Sequence, residues 1–534
     1  MRRFIKYFLI ICIPISFAGC KKLFDTNPQD FVDQEQFYQT EQQLNSALMA
    51  VYSPLGKGEL YGARMIGRLG MDADEAFYNS SIFTGVLNNS ILPTDSYITS
   101  FWRVCYEAIN RANLLLKYID RPKMDEKNRN IIKGEALFLR GYYYLLLTSN
   151  FGDVPLILEP SLSASQSTKI PQAKSKKVYE QIIADLTEAQ GIVLTASEIG
   201  YGGRVNRSAV QGILARVCLY MAGNPINDFT KYEVARAWAD SVITSKEHTL
   251  NPDYTNVFKN YAADIYDIKE SILEVEFYGN SQGVYKKGGT VGNANGIRYT
   301  ANPADPRYGR SDGFLNITPT LWKLYPDAGS LTSSDLRRDW SIAPFSLSGN
   351  PAVEKAWTAS QVIDRYPGKF RRFYETVSPK TSSTPQNFPL LRYSDVLLMY
   401  AEADNYINQG PTPEALESIN QVRRRAYGLP VKLGSSGMPS PVDLDMSISY
   451  SDFLKEIKDE RSRELSFECL RKRDLVRWGD FLNNMKEVYN QVININPNSR
   501  AIPVYKNVTK RDELWPIPAY EMGVNSELVQ NVGW

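Results

Sequence analysis

From residue 102 onward, the chain sets down residues at helical spacing in one segment after another, and the segments come in pairs. Trp102, Tyr106, Ile109, Asn113 and Leu116 recur at steps of four and three, which places them on one face of a helix. Arg121-Pro122 ends that helix, because proline lacks a donor and disfavours a helical residue before it. A second helix is expected over 128–149, with Ile131, Phe138, Tyr142 and Leu145 on one stripe; Gly152 and Pro155 then begin a short extended stretch. Similar spacing predicts helices over 178–190, 208–222, 232–245, 394–408, 413–426 and 450–470. Each pair is amphipathic and cannot bury its apolar face alone, so pairs must stack on pairs. The expected fold class is therefore mainly α: a tetratricopeptide-like helix-pair scaffold, an α-α superhelix, with packed irregular loops and minor β. No strict consensus repeat is visible, so the expectation rests on pairing.

Between about 250 and 390 the character changes. SILEVEFY (271–278) alternates as a strand does. It is followed by GVYKKGGTVGNANGIRYT and ANPADPRYGRSDGF, rich in Gly, Asn, Asp and Tyr, which read as long irregular loops. The stretch 71–100 has the same look. Loops carried on a rigid scaffold are where binding residues concentrate. Aromatic residues make up 12% of the chain and include 33 tyrosines, whose flat apolar face and polar tip suit a wet binding surface as well as a core.

The first 20 residues read MRRFIKYFLIICIPISFAGC. Arg2, Arg3 and Lys6 precede an apolar stretch from Tyr7 to Ala18, shorter than the roughly 20 residues a spanning helix needs. This is the pattern of a cleaved signal peptide over 1–19. Phe17-Ala18-Gly19-Cys20 resembles a lipobox, with Phe17 where leucine is usual, and makes Cys20 the expected lipid attachment site. Acyl chains on Cys20 anchor a protein without a transmembrane helix.

Several functions are disfavoured. Removing the three basic leader residues takes the formal charge from +2 to −1, so no basic balance calls for nucleic acid. His248 is the single histidine, which argues against a histidine-rich zinc site and against a His-dependent triad. Cys105, Cys218 and Cys469 lie far apart inside helical patterns and read as buried free thiols. No cofactor is expected. Glu460, Arg461, Arg463, Glu464, Glu468 and Arg471 alternate in sign at helical spacing, which favours an ion-paired helix face over a catalytic carboxylate pair. Asp72, Asp74 and Glu75 crowd together and are weak Ca²⁺ candidates, lacking the glycine and distal glutamate of an EF-hand loop.

An ordered series of segments resembles the SusD-like (RagB/SusD) family. In the N-terminal half these are Trp102…Tyr106…Ala112-Asn113, GEALFLRGYYYLLLTSNFGDVPL (134–156), VYEQIIADLTEA (178–189) and GGRVNRSAVQGILARVCLY (202–220). In the C-terminal half they are SDLRRDW (334–340), FPLLRYSDVLLMYAEADN (388–405), INQVRRRA (419–426), DERSRELSFECLRKRDLVRWGD (459–480) and LWPIPAYEMGVNSELVQNVGW (514–534). The resemblance implies an N-terminal region over 20–225 and a C-terminal region over 226–534, with ligand loops near 271–390, in one compact unit. It implies a lipid-anchored protein of the outer membrane, facing the exterior. Such a protein takes up a glycan and passes it to a SusC-like TonB-dependent transporter, without catalysis.

Glycan capture needs aromatic faces for sugar C–H surfaces and polar side chains for hydroxyls. The first loop offers Phe77, Tyr78, Phe83, Asn88, Asn89 and Tyr97 but no tryptophan, which departs from starch-binding members and speaks against starch. The second region offers Tyr285, Asn293, Asn295, Arg298, Tyr299 and Tyr308, with Trp322, Trp340 and Trp357 beyond it. Each such ring has an alternative role in packing its loop onto the core. Three rivals stay open: a glycoside hydrolase, the same fold with peptide cargo, and a pure scaffold.

Overall fold

A computed structural model describes residues 37–79, 85–161, 169–283, 287–433 and 438–534; Cys20, Phe83 and Tyr285 lie outside these. Helix α1 (Glu41–Tyr52) packs on α2 (Ser96–Tyr118), α2 on α3 (Glu126–Phe151), α3 on α4 (Ser175–Gln190), α4 on α5 (Arg207–Ala222) and α5 on α6 (Lys231–Thr244). Side chains close the helix starts: Asp95 accepts from the Tyr97 and Ile98 amides at 2.7 and 3.3 Å, and Asn206 from Ala209 at 2.9 Å. Each cap is worth about 1 kcal/mol. Helix α5 is buried on nearly every side, as expected of a helix in the middle of a stack.

The chain then leaves the stack for helix α7 (Tyr254–Ala263) and the loop-rich region, and returns with α8 (Tyr393–Asn408), which packs on α6. Helices α9 (Pro413–Ala426) and α10 (Tyr450–Leu465) pack on α8, followed by α11 (Arg471–Trp478) and α12 (Phe481–Ile495). The mainly α, helix-pair expectation holds, with the loop-rich region set between two helices that are neighbours in space. Strands are short. In chain order they are β1 (Ala76–Tyr78), β2 (Val154–Pro155), β3 (Gln172–Ala173), β4 (Ser271–Val275), β5 (Leu315–Ile317), β6 (Phe345–Ser348), β7 (Val353–Ala356) and β8 (Phe388–Arg392). They form four antiparallel pairs, β1–β5, β2–β3, β4–β8 and β6–β7. The β4–β8 pair, with Ser271 opposite Arg392, closes the inserted region at the scaffold. Gly212 of α5 lets β8 approach: a Cβ there would stand 2.4 Å from the Leu391 side chain.

A seam of buried ion pairs joins the insertion to α9 and α10. Glu464 of α10 accepts from Arg392 at 2.8 Å, Arg425 at 2.7 Å and Arg337 at 3.1 Å. Glu270 meets Arg392 and Arg425, and Glu468 meets Lys369 and Arg392. Burial pushes the Glu464 carboxyl up, but Arg425, Arg392 and Arg337 outweigh it and hold the group well below the usual range. A second knot sets Arg216 and Arg461 on Asp395, with Arg461 and Arg477 on Asp474.

Three expectations need correction here. The charges from Glu460 to Arg471 are ion-paired as the sequence suggests, but they are buried, and most partners come from other elements. The helix expected over 450–470 ends at Leu465. Phe467 and Cys469 take left-handed backbone with φ of 64° and 63°. That break buries Phe467 among Trp322, Tyr325 and Leu315, and leaves Glu468 beside Lys369 and Arg392. Tertiary packing overrides helical periodicity at this point. The strand expected over 271–278 stops at Val275.

Candidate functional site

The inserted region builds an open cleft of about 570 Å³ from three pieces. One is the chain around Tyr299 and Ser311, whose backbones bridge at 2.8 and 2.9 Å. Another is the β6–β7 hairpin, and the last is the single turn Arg372–Tyr374. The volume falls in the range of small-ligand sites.

Aromatic rings form its surface. Tyr308, half-buried, lies 6.3 Å from the Tyr299 ring and 5.5 Å from Phe373. Phe373 is 48% exposed, a large apolar face open to solvent, and continues through Tyr374 to Trp340. The Tyr308 hydroxyl donates to Glu354 at 2.8 Å; burial and that carboxylate push its pKa up to about 12, so it stays protonated. Tyr299 is a buried floor whose hydroxyl donates to the Gly349 carbonyl at 2.8 Å and so ties down the hairpin turn.

Three arginines border the cleft in different states. Arg307 is paired with Asp305 at 2.7 Å and Arg372 with Glu375 at 2.8 Å. Arg371 lies 4.2 Å from the Trp340 ring centroid and donates to the carbonyls of Gly368, Asp339 and Trp340. Burial pulls its pKa down to about 10. Among the lining residues, Glu354 is the one carboxylate.

The segment 309–314 is a shared wall. Gly309 and Ser311 face the aromatic cleft, while Asp312 and Phe314 face a second pocket of about 430 Å³. That pocket unites the first loop with the mid-chain loops through Tyr97, Asn293 and Phe314, and with Arg64 and Arg68 from the scaffold side.

The sequence candidates therefore divide. Tyr299 and Tyr308 meet in the cleft, and Tyr97 lines the second pocket. Arg298 is exposed and belongs to the lining of neither. Phe77 is buried in a small core with α12, and Tyr78 is buried against Phe314, 5.5 Å away. Asn88 accepts from Ser90, and Asn89 donates to the Val504 carbonyl at 2.8 Å. Trp322 is buried, with Arg338 and Arg365 each 4.4 Å from its ring centroid and its indole N–H on the Ala328 carbonyl. These placements make Phe77, Asn89 and Trp322 packing residues. Asp72 and Asp74, the Ca²⁺ candidates, are buried against Lys472 and Arg471, with Asp74 also taking the Asn484 amide at 2.9 Å. Their charge is already matched.

Sequence reading passed over Phe345, Arg371, Phe373 and Tyr374. A signal existed in KFRRFYE (369–375), where basic and aromatic residues crowd, but it has neither period that marks an element. His248 is buried with Nδ1 at 3.0 Å from the Ile268 carbonyl, a structural position. The three described cysteines are free thiols. No helix among the described residues is long and apolar enough to cross a membrane.

A helical-repeat scaffold with an open aromatic cleft on loops inserted between two stacked helices is the architecture of a ligand-binding protein. Comparison narrows it. Residues 345–534 match the SusD family, and residues 24–219 match a SusD-like family described as starch-binding and associating with the outer membrane. The chain belongs to the SusD-like family. SusD-like protein P2 of Formosa agariphila is 27% identical over 533 residues, 98% of each chain. A SusD homologue from Bacteroides thetaiotaomicron superposes with a TM-score of 0.85 at 27% identity, covering 94% of this chain and 98% of that one. A laminarin-binding SusD-like protein superposes with a TM-score of 0.70 at 25% identity, over 93% of this chain and 100% of its own.

Proposed function

We propose that this protein captures an oligosaccharide in the Tyr308–Phe373 cleft and delivers it to a SusC-like TonB-dependent transporter, with no bond made or broken. The carrying observation is the exposed Phe373 ring beside Tyr308, an apolar platform that the scaffold does not use for its own packing. The family description and the laminarin-binding neighbour support a glycan as cargo. Hydrolysis ordinarily asks for two carboxylates across the scissile bond, and Glu354 stands alone in the cleft lining. We place the protein on the exterior of the outer membrane, held by lipid on Cys20, with the ligand loops of 271–390 carried by its C-terminal region.

The test is binding of the lipid-free protein, from Lys21, to a panel of glycans and peptides. Saturable glycan binding that Tyr308→Ala/Phe373→Ala weakens at least about tenfold, roughly 1.4 kcal/mol, is the expected result. Turnover abolished by one carboxylate substitution would sink the reading. A second reading keeps the fold and changes the cargo to peptide. It draws on the β6–β7 hairpin, a two-stranded sheet at the cleft rim whose outer edge an extended peptide would extend. Peptide binding without glycan binding would select it.

A further inference from the structure

The pocket behind the 309–314 wall carries two guanidiniums that form no ion pair with a described carboxylate. Arg64 and Arg68 stand one turn apart, on and beside a π-helical turn (Met65–Leu69) whose Gly70 amide reaches back to the Met65 carbonyl at 2.9 Å. Such turns are rare and recur at functional sites. The Arg64 guanidinium lies 4.6 Å from the Tyr97 ring centroid and donates to Ser100; that of Arg68 lies 5.0 Å from the same ring and donates to the Tyr97 and Tyr78 hydroxyls. Among the described residues neither meets a carboxylate. Asp312 is the one acidic residue of the lining, and Arg310 holds it at 3.0 Å.

Elsewhere in the molecule most buried guanidiniums pair with Asp or Glu, as Arg140, Arg337, Arg392 and Arg477 do, with Arg365 on the Trp322 ring an exception among the described residues. Two half-buried cations on the one Tyr97 ring repel each other, and no described carboxylate offsets that repulsion. An anion entering the pocket removes that cost and gains charge-assisted hydrogen bonds from planar forks suited to carboxylate or sulfate oxygens. Thr290, Asn293, Ser382 and Ser383 line the remaining wall, a polar surface suited to neighbouring sugar hydroxyls. The aromatic cleft repeats the pattern on its own side, where Arg371 also lacks a carboxylate partner among the described residues.

We infer that the Arg64–Arg68 pocket is an anion subsite, and that the cargo is an acidic glycan bearing a uronate carboxylate or a sulfate ester. This rests on the glycan reading of the cleft. Sugar rings occupy the Tyr308–Phe373 platform while an acidic substituent reaches across the wall to the paired guanidiniums.

The experiment is calorimetric titration of the lipid-free protein with length-matched neutral, uronate-containing and sulfated oligosaccharides, at low and high salt. One or both acidic series should bind about tenfold to a hundredfold tighter than the neutral one, with the preference shrinking in salt. The relative affinities of the two acidic series assign carboxylate or sulfate. Arg64→Gln/Arg68→Gln should erase the preference and leave neutral binding in place. Arg64→Lys/Arg68→Lys, which keeps charge and loses the fork, should retain part of it, and thermal unfolding checks that both variants fold. Neutral binding that depends on Tyr308 and Phe373, with no acidic preference, overturns the inference and spares the cleft. Acidic binding lost in the glutamine variant but untouched by Tyr308→Ala/Phe373→Ala leaves the subsite and overturns the cleft. Silence across all three series overturns both.

Discussion

The seam between α9, α10 and the insertion and the cleft of the inserted region both hold several arginines, and they use them oppositely. In the seam, Arg337, Arg392 and Arg425 are wholly buried and each meets at least two carboxylates. Around the cleft and its neighbouring pocket, Arg64, Arg68 and Arg371 lie on aromatic rings and bond hydroxyls or carbonyls. A guanidinium matched by carboxylates holds parts of the chain together. One that spends its charge on rings and dipoles keeps the capacity to bind an anion.

The largest break in that contrast comes from the seam. Glu464→Gln leaves three buried guanidiniums short of an acceptor charge and should cost about 3–5 kcal/mol, read as a lower denaturant midpoint. Next come two neighbours in sequence. Arg372→Gln strands Glu375 and should cost about 2–3 kcal/mol, while Arg371→Gln, which leaves no carboxylate behind, should cost about 1 kcal/mol; equal losses would erase the distinction. A pH-dependent effect tests a buried carboxylate outside the seam, Glu75, which accepts from the Phe467 amide at 3.2 Å. Burial, and then the Asp74 carboxylate, push Glu75 up to about 8 against the opposing pull of Arg471. Its contribution is intact below about pH 4.5 and is lost as pH rises through the folded value near 8. Glu75→Gln should therefore match the native protein in acid and unfold at a higher temperature than it above pH 8. At the small end, Lys57→Ala breaks an exposed pair with Glu107 and should change stability by about 0.5 kcal/mol or less.

Sequence reading served the two regions unequally for a physical reason. The helical stack was legible because each helix repeats its signal every turn: 413–426 is matched end for end, and 178–190 is extended only at its start. A three-residue motif such as Phe467–Cys469, by contrast, turns the backbone so that Glu468 meets partners, Lys369 and Arg392, that are distant in sequence. No local period announces that. The cleft was half legible. Tyr299 and Tyr308 stand out in a glycine-rich loop, but whether a ring is floor or platform depends on the hairpin above it, and Phe373 comes from a separate turn. Trp322 is ambiguous in the sequence because large rings favour binding sites and cores alike, and only its two arginine neighbours and bonded indole decide for the core.

The β4–β8 clasp has a consequence in time. Helices α1 to α6 find partners close by in sequence, whereas α8 reaches α6 only after an excursion on the order of a hundred residues has been closed by Ser271 meeting Arg392. Local contacts form fast and distant ones slowly, so the two halves should mature at different rates. Pulse-labelled hydrogen exchange during refolding would then find amides of α3 to α5 protected before those of α8, and simultaneous protection would mean that the clasp forms early. Until it forms, the face of α6 that α8 covers stands bare.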